Sequence, residues 1–373
     1  MNEKIYLSSP HMGENEIKYV EKAFETNWIA PVGPNIENFE KSLSFFLGEI
    51  NTCVLSSGTS AIQLALIMLG VKKDDFVLVQ SFTFCGSTNP IKYVGATPVF
   101  IDSEKDTWNM CPVALEKALN KYGGNVKAII PVHLYGMPYN LDQITMLSKK
   151  YSVPIIEDAA EALGSKYGEN YCGTFGEISA LSFNGNKIIT TSGGGALVSK
   201  KIEYINKAKF LSTQARDNAV HYEHSEIGYN YRMSNVLAGI GIGQMEVLEE
   251  RVKQRRFNNN NYRNFFKDIE GVEFQTEPSS DYYSNYWLTA ILINPELTGG
   301  INREVVRIAL EKENIESRPL WKPMHLQPVF KGTKFFGKGV CEKLFENGLC
   351  LPSGSNLTSH EFERIFEALS KIF

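Results

Sequence analysis

Short runs rich in β-branched residues recur through the first 200 residues of this chain, each separated from the next by a longer helical pattern. No other feature constrains the fold as strongly. The runs are "NTCVLSS" (51–57), "DFVLVQ" (75–80), "ATPVFID" (96–102), "VKAIIPVH" (126–133), "VPIIED" (153–158), "ISALSF" (178–183) and "GALVS" (195–199). Such runs alternating with helices indicate an α/β layering around a mostly parallel sheet. Between the first two runs, "TSAIQLALIMLG" (59–70) is apolar on nearly every face and ends in Gly70, which reads as a buried helix with a glycine stop. After about residue 234 the pattern changes. A long helix is expected over "SNVLAGIGIGQMEVLEERVKQRR", followed by a polar break "NNNNYRN". A smaller α+β domain then holds a strand "YWLTAILIN" (286–294), a helix from about Arg303 to Glu313, an extended "IESRPL" (315–320) and a terminal helix from about Ser359. The expected division is 1–250 for the large domain and 251–373 for the small one.

With 373 residues, 43% of them hydrophobic, the chain can bury a large core. Its net charge of -4 provides no positive field for nucleic acid or an anionic membrane, so the expected partners are small molecules and copies of itself. The basic cluster "RVKQRR" (251–256) reads as a solvated helix face. The opening "MNEKIYLSSPHMG" lacks a basic start followed by an apolar core, and no window approaches about 18 uninterrupted apolar residues, so neither export nor membrane spanning is expected. Cys53, Cys85, Cys111, Cys172, Cys341 and Cys350 are irregularly spaced with no CxxC pair. That spacing indicates no zinc site and no disulfide framework, and suits reduced thiols in a cytoplasm.

In open α/β sheets, ligands bind beyond the carboxyl ends of the strands. Four segments place suggestive residues there. In "SSGTSA" (56–61), Gly58 and Thr59 open a helix whose unpaired amides and dipole either seat a phosphate or are merely capped. Asp158 ends a strand, where a carboxylate either caps the next helix or holds a proton on a ligand's ring nitrogen. Lys187, in the loop "SFNGNK" after a buried strand, is either a surface lysine or an inward amine made nucleophilic by desolvation. In "SFTFCGST" (81–88), Phe82 or Phe84 either packs in the core or lies against a planar ring. Phosphate seat, aromatic plate, ring-nitrogen carboxylate and amine are together the requirements of pyridoxal 5'-phosphate. Gly193 to Gly195 would let the backbone run close beneath the lysine loop. His133, at a strand end, reads as a satisfied buried histidine.

The stretches "PHMGENEIKYVEKAFETNWIAPVGPNIENFE", "SSGTSAIQLAL", "SFTF", "EDAAEALG", "SFNGNKIITTSGGG", "GYNYRMSNVLAGIGIGQMEVLE" and "SRPLWKPMH" resemble the DegT/StrS family of pyridoxal-phosphate-dependent nucleotide-sugar aminotransferases over essentially the whole chain. Several are similar to the branch that makes 4-amino-4,6-dideoxy-N-acetylglucosamine nucleotides, including exopolysaccharide-cluster members. The resemblance implies fold type I architecture with a seven-stranded sheet, a homodimer with shared active sites, L-glutamate as donor and a UDP-sugar acceptor in bacillosamine-type synthesis. It makes Lys187 similar to the Schiff-base lysine, Asp158 to the ring-nitrogen partner and Phe84 to the stacking aromatic. Gly58, Thr59 and Ser182 resemble the phosphate contacts, with Asn230 donated by the neighbouring subunit. Glu161 stands where the family often has Gln or His near the cofactor's phenolic oxygen. Keeping Lys187 rather than His favours a transaminase over a related sugar dehydratase. Trp28, Arg318, Trp321, Lys322 and His325 resemble substrate-side segments, and Arg232 and Arg216 could pair with a substrate anion or with an acidic side chain. The rival readings are amination of a dTDP or GDP keto sugar, at C3 or C4, and a non-catalytic regulator that keeps the cofactor. A dinucleotide dehydrogenase is disfavoured because no GxGxxG follows the first strand.

Overall fold

The computed structural model describes residues 3–373. Each of the seven runs forms a strand: β1 (Asn51–Leu55), β2 (Phe76–Gln80), β3 (Thr97–Ile101), β4 (Val126–Ile130), β5 (Ile156–Asp158), β6 (Ile178–Ser182) and β7 (Gly195–Ser199). Ladder pairing gives the sets β3-β2-β4 and β5-β6-β7-β1, and parallel bridges Ile129–Ile155 and Val132–Asp158 join them between β4 and β5. The result is one sheet in the order β3-β2-β4-β5-β6-β7-β1, in which only β7 runs antiparallel to its neighbours.

Helices cover both faces. The helices flanking the sheet and its carboxyl edge are α1 (Glu16–Glu25), α2 (Pro34–Phe46), α3 (Gly58–Met68), α4 (Pro112–Tyr122), α5 (Leu141–Tyr151) and α6 (Ile202–Ser212). The strand period of two is visible in β1: Cys53 and Leu55 join the core beneath α3 and α6, whereas Val54 joins the core beneath α2. Burial of both faces explains why these strands read as continuous apolar runs.

Three expectations need correction downstream. The single long helix is two, α7 (Asn235–Glu246) and α8 (Leu248–Phe266), separated at Val247, whose φ of -113° leaves the helical region. The asparagine-rich stretch is not a break but the middle of α8. Asn258 donates to the carbonyls of Ser353 (3.4 Å) and Gly354 (2.8 Å), and Asn259 to the Thr289 hydroxyl (3.3 Å), so tertiary bonds outweigh the poor helix propensity of asparagine. The cluster "RVKQRR" is likewise no solvated face: Arg251 and Arg255 are 6% and 1% exposed. The expected domain boundary at 250/251 falls within the first turn of α8.

Beyond α8 lie β8 (Val272–Phe274), β9 (Thr289–Ile293), α9 (Arg303–Lys312), β10 (Arg318–Pro319), β11 (Phe335–Phe336), α10 (Val340–Asn347), β12 (Gly348–Leu351) and α11 (Ser359–Ser370). Strands β8-β9-β12-β10 form an antiparallel sheet backed by apolar side chains of α8, α9 and α11, among them Tyr262, Leu310 and Ile365. Strand β11 leaves that sheet and pairs in parallel with β3 of the large one. Beside it, Asp102 accepts from the amides of Lys338, Gly339, Val340 and Cys341 at 2.8–3.0 Å, which caps the start of α10. Burial works against that carboxylate, yet these bonds hold its pKa below the usual range.

Among the described residues, no helix is long and apolar enough to cross a membrane, and no His/Cys/Asp/Glu cluster could hold a metal ion.

Candidate active site

The carboxyl ends of β2, β5 and β6 and the start of α3 surround one cavity of about 260 Å³. At its base, Ser57 caps α3 by accepting from the Ser60 amide (3.0 Å). The amides of Gly58 and Thr59 find no acceptor among the described residues, and both residues line the cavity. Capping and an open anion seat therefore coexist in one turn. Gly195 makes this possible, because a Cβ there would collide with the Gly58 amide nitrogen and the Ser57 carbonyl carbon. The close approach expected of Gly193 to Gly195 thus serves the start of α3 rather than the lysine loop. Ser182, at the end of β6, lines the same space.

Asp158 ends β5 and is 4% exposed. Its Oδ2 accepts from the Ser87 hydroxyl (2.6 Å) and its Oδ1 from the Ala160 amide (3.1 Å). Ser87 is in turn fixed by the Thr83 hydroxyl at 2.7 Å. Burial raises the Asp158 pKa, and Ser87, Ala160 and nearby Lys187 only partly offset this. The carboxylate is short of positive charge.

Lys187 follows a tight turn in which its amide donates to the Asn184 carbonyl (3.0 Å). Its Nζ lies 3.6 Å from Glu161 Oε1 and 3.9 Å from the centroid of the Trp287 ring. Burial is the main influence lowering its pKa; the Glu161 and Asp158 carboxylates oppose that shift and the Arg255 guanidinium adds to it. The lysine is the inward amine, not the surface one. Glu161 Oε2 accepts from the Tyr135 amide (2.7 Å), and burial raises the Glu161 pKa against the pull of Lys187. Trp287 is over-determined: its amide donates to Asn285 Oδ1 (2.8 Å) and its indole Nε1 to the Asn186 carbonyl (2.6 Å).

Of the two phenylalanines, Phe82 is fully buried, whereas Phe84 is 50% exposed and faces the cavity. Phe84 lies 5.3 Å from Trp321, whose amide donates to the Tyr135 hydroxyl (2.9 Å) and whose indole Nε1 is buried without a partner among the described residues.

The remaining substrate candidates sit elsewhere. Arg232 is held structurally: its guanidinium meets Glu40 (2.6 Å), the Val54 carbonyl (2.9 Å) and Cys53 Sγ (3.3 Å). Arg318 is an exposed residue on β10 paired with Glu316 (2.7 Å). His325 bonds Ser81 (2.7 Å) and Glu342 (3.2 Å) and stacks on Phe335 at 3.9 Å. Lys322 is exposed and lines no part of the cavity, and Trp28 lies at 45% exposure away from it. Asn230 and Arg216 line a second concavity with Pro31 and Tyr222. His133 is a satisfied buried group, bonding Glu157 at 2.7 Å and accepting from the Tyr139 amide at 3.3 Å. Trp287, Ser87 and Tyr135 belong to the site but carry little sequence signal, since each is a common core residue until its partners are known.

Two free amides at a helix start, an aromatic plate, an under-compensated buried carboxylate and a buried amine fit pyridoxal phosphate. The comparisons agree. The model of the DegT/DnrJ/EryC1/StrS aminotransferase family matches residues 10–370. "Putative pyridoxal phosphate-dependent aminotransferase EpsN" of Bacillus subtilis is 51% identical over 380 residues, covering 100% of this chain and 97% of that protein. GDP-perosamine synthase of Escherichia coli O157:H7 is 36% identical over 371 residues, covering 99% and 98%. The PLP-form of "Putative sugar aminotransferase Spr1654" from Streptococcus pneumoniae has a TM-score of 0.90 at 26% identity, covering 100% of both chains. This chain therefore belongs to the DegT/DnrJ/EryC1/StrS aminotransferases, pyridoxal-phosphate-dependent enzymes of fold type I.

Proposed function

We propose that the chain moves the amino group of L-glutamate to C4 of a UDP-linked 4-keto-6-deoxy-N-acetylhexosamine, giving a UDP-4-amino-4,6-dideoxy sugar for bacterial polysaccharide or glycan. The observation that supports the transamination is the meeting of Lys187, Asp158 and the free amides of Gly58 and Thr59 in one cavity, while the UDP-linked acceptor rests on the sequence resemblance. Pyridoxal phosphate, when bound, supplies a carbonyl that carries nitrogen between substrates and a ring that takes up the electrons left by a departing proton. The Gly58 and Thr59 amides bind its phosphate with the positive end of α3, aided by the Ser182 hydroxyl. Asp158 holds a proton at the ring nitrogen, and that cation supplies the charge the carboxylate lacks. Phe84 orients the ring by stacking. Lys187 Nζ takes a proton from the α-carbon of glutamate and later delivers one to C4 of the sugar. One water supplies the new carbonyl oxygen of the 2-oxo acid that leaves from glutamate, and the sugar's carbonyl oxygen departs as another water, so none is consumed overall.

The cavity is smaller than the roughly 300–1,000 Å³ that enclose a drug-sized ligand. A nucleotide sugar must therefore extend past the rim formed by Phe84 and Trp321. We further propose that a second copy completes the site and supplies Asn230. Val220, Tyr222 and Ile227, on the segment before Asn230, are exposed apolar side chains of the kind such an interface would cover.

Lys187→Ala should abolish both turnover and the visible absorbance of bound cofactor; normal transamination by this variant would end the reading. Initial rates on UDP-, dTDP- and GDP-linked 4-keto-6-deoxy sugars test the acceptor. The similarity to a protein named GDP-perosamine synthase favours GDP as the second reading, so a faster rate on the GDP sugar would replace the first. Conversion of bound cofactor to its amino form by glutamate distinguishes an enzyme from a regulator.

A further inference from the structure

Arg255 on α8 is 1% exposed and forms no ion pair among the described residues, an unusual state for a guanidinium. Its NH1 donates to the carbonyls of Trp287 (2.5 Å) and Ser353 (3.2 Å), its NH2 to the Ser8 hydroxyl (3.0 Å), and its Nε has no partner among the described residues. Ser8 passes its own proton to the Asn186 carbonyl (2.7 Å), the same oxygen that accepts from the Trp287 indole (2.6 Å). The two groups that grip the peptide oxygen just before Lys187 are thus both held by one side chain. The face of one of them, Trp287, lies under Nζ. Tyr286, immediately before Trp287, has a φ of +44°, so this placement carries backbone strain that something must retain.

Building on the reading of Lys187 as the reactive amine, we propose that Arg255 is its positioning residue, fixing the Trp287 plate and the Asn186 carbonyl so that Nζ is aimed into the cavity. Its charge has a second effect. Nζ faces the carboxylates of Glu161 and Asp158 and the indole of Trp287, all of which favour an ammonium; burial and Arg255 favour the free amine. Around Arg255 itself the charged or titratable neighbours are Arg251 on the same helix, His11 on the amino-terminal segment and Lys187, and none neutralises it.

The test compares Arg255→Met, Arg255→Lys and Ser8→Ala with the unaltered protein and with Lys187→Ala as the blank. The probe is pyridoxal 5'-phosphate added to cofactor-free protein, with the rate of appearance of visible absorbance followed against pH. Arg255→Met should move the midpoint of that profile to higher pH. It should also lower kcat by about tenfold with KM for the sugar changed by less than about twofold. Arg255→Lys should restore the midpoint but not kcat, because an ammonium cannot span three acceptors. Ser8→Ala should lower kcat by a few-fold at an unchanged midpoint. A folded Arg255→Met with unaltered midpoint and kcat overturns the proposal. Should Arg255→Met fail to fold, a wild-type kcat in both Arg255→Lys and Ser8→Ala overturns it instead. If the unaltered protein reacts no faster than Lys187→Ala, the fault lies with the reading of Lys187 rather than with Arg255.

Discussion

Glu157 and Asp158 are neighbours on one strand, buried equally well, and point to opposite faces of the sheet. Glu157 accepts from His133, from the amides of Gly173, Phe175 and Gly176, and from the Ser179 hydroxyl, at 2.5–2.9 Å. Burial disfavours its charge, but His133 and these amides hold its pKa below the ordinary 4.5. Asp158 has two donors, and burial raises its pKa above the ordinary 3.8. One carboxylate is fully provided for and serves the fold. The other is left with unspent acceptor capacity facing a cavity, and that deficit is what a ligand can fill. Burial alone does not separate the two; the count of donors does.

Several substitutions would break or sharpen this contrast. The largest effect is expected from Asp158→Asn, which should cut turnover by about a thousandfold while the chain stays folded. In cofactor-free protein, the same change should raise the melting temperature near pH 7. A raised pKa means that the charged form is penalised in the fold, so the gain should vanish as pH falls through the raised value towards 3.8. Melting curves across pH that show destabilisation at neutrality would refute the deficit. Glu157→Gln should do the reverse and cost about 3 kcal/mol near pH 7. Since its folded pKa is depressed, that loss should shrink as pH drops below 4.5 and through the lowered value. Turnover per folded molecule should change little, and a thousandfold loss there would erase the distinction between the neighbours. The smallest effect is expected from Arg318→Ala, whose partner is the surface residue Glu316: less than about 0.5 kcal/mol and no measurable change in rate.

The large sheet was legible because strands buried on both faces must be apolar throughout, a signal that survives without knowledge of the partners. Lys187, in the loop after β6, and Asp158, at the end of β5, stood out only in combination with the phosphate seat and the aromatic plate, since each taken alone reads equally well as a surface or capping residue. The structure pairs Arg318 with Glu316 on β10 and stacks His325 on Phe335, partners that residue type alone does not reveal. The asparagines of α8 read as a break since their helical state depends on a hydroxyl 30 residues and carbonyls 95 and 96 residues further along the chain. Trp287 and Arg255 were invisible for the same reason. A tryptophan opening a strand and an arginine within a basic run acquire their roles only when Asn186, Ser8 and Ser353 arrive from three other segments.

The pairing of β11 with β3 has a consequence for solubility. A parallel sheet ending at β3 would present a row of unsatisfied amides and carbonyls along its outer rim, a template for the strands of other molecules. The Phe100 and Asp102 amides instead donate to the carbonyls of Lys334 and Phe336 (2.9 Å each). A two-residue strand from the far end of the chain thus acts as a stopper, denying intruders the edge most open to runaway assembly.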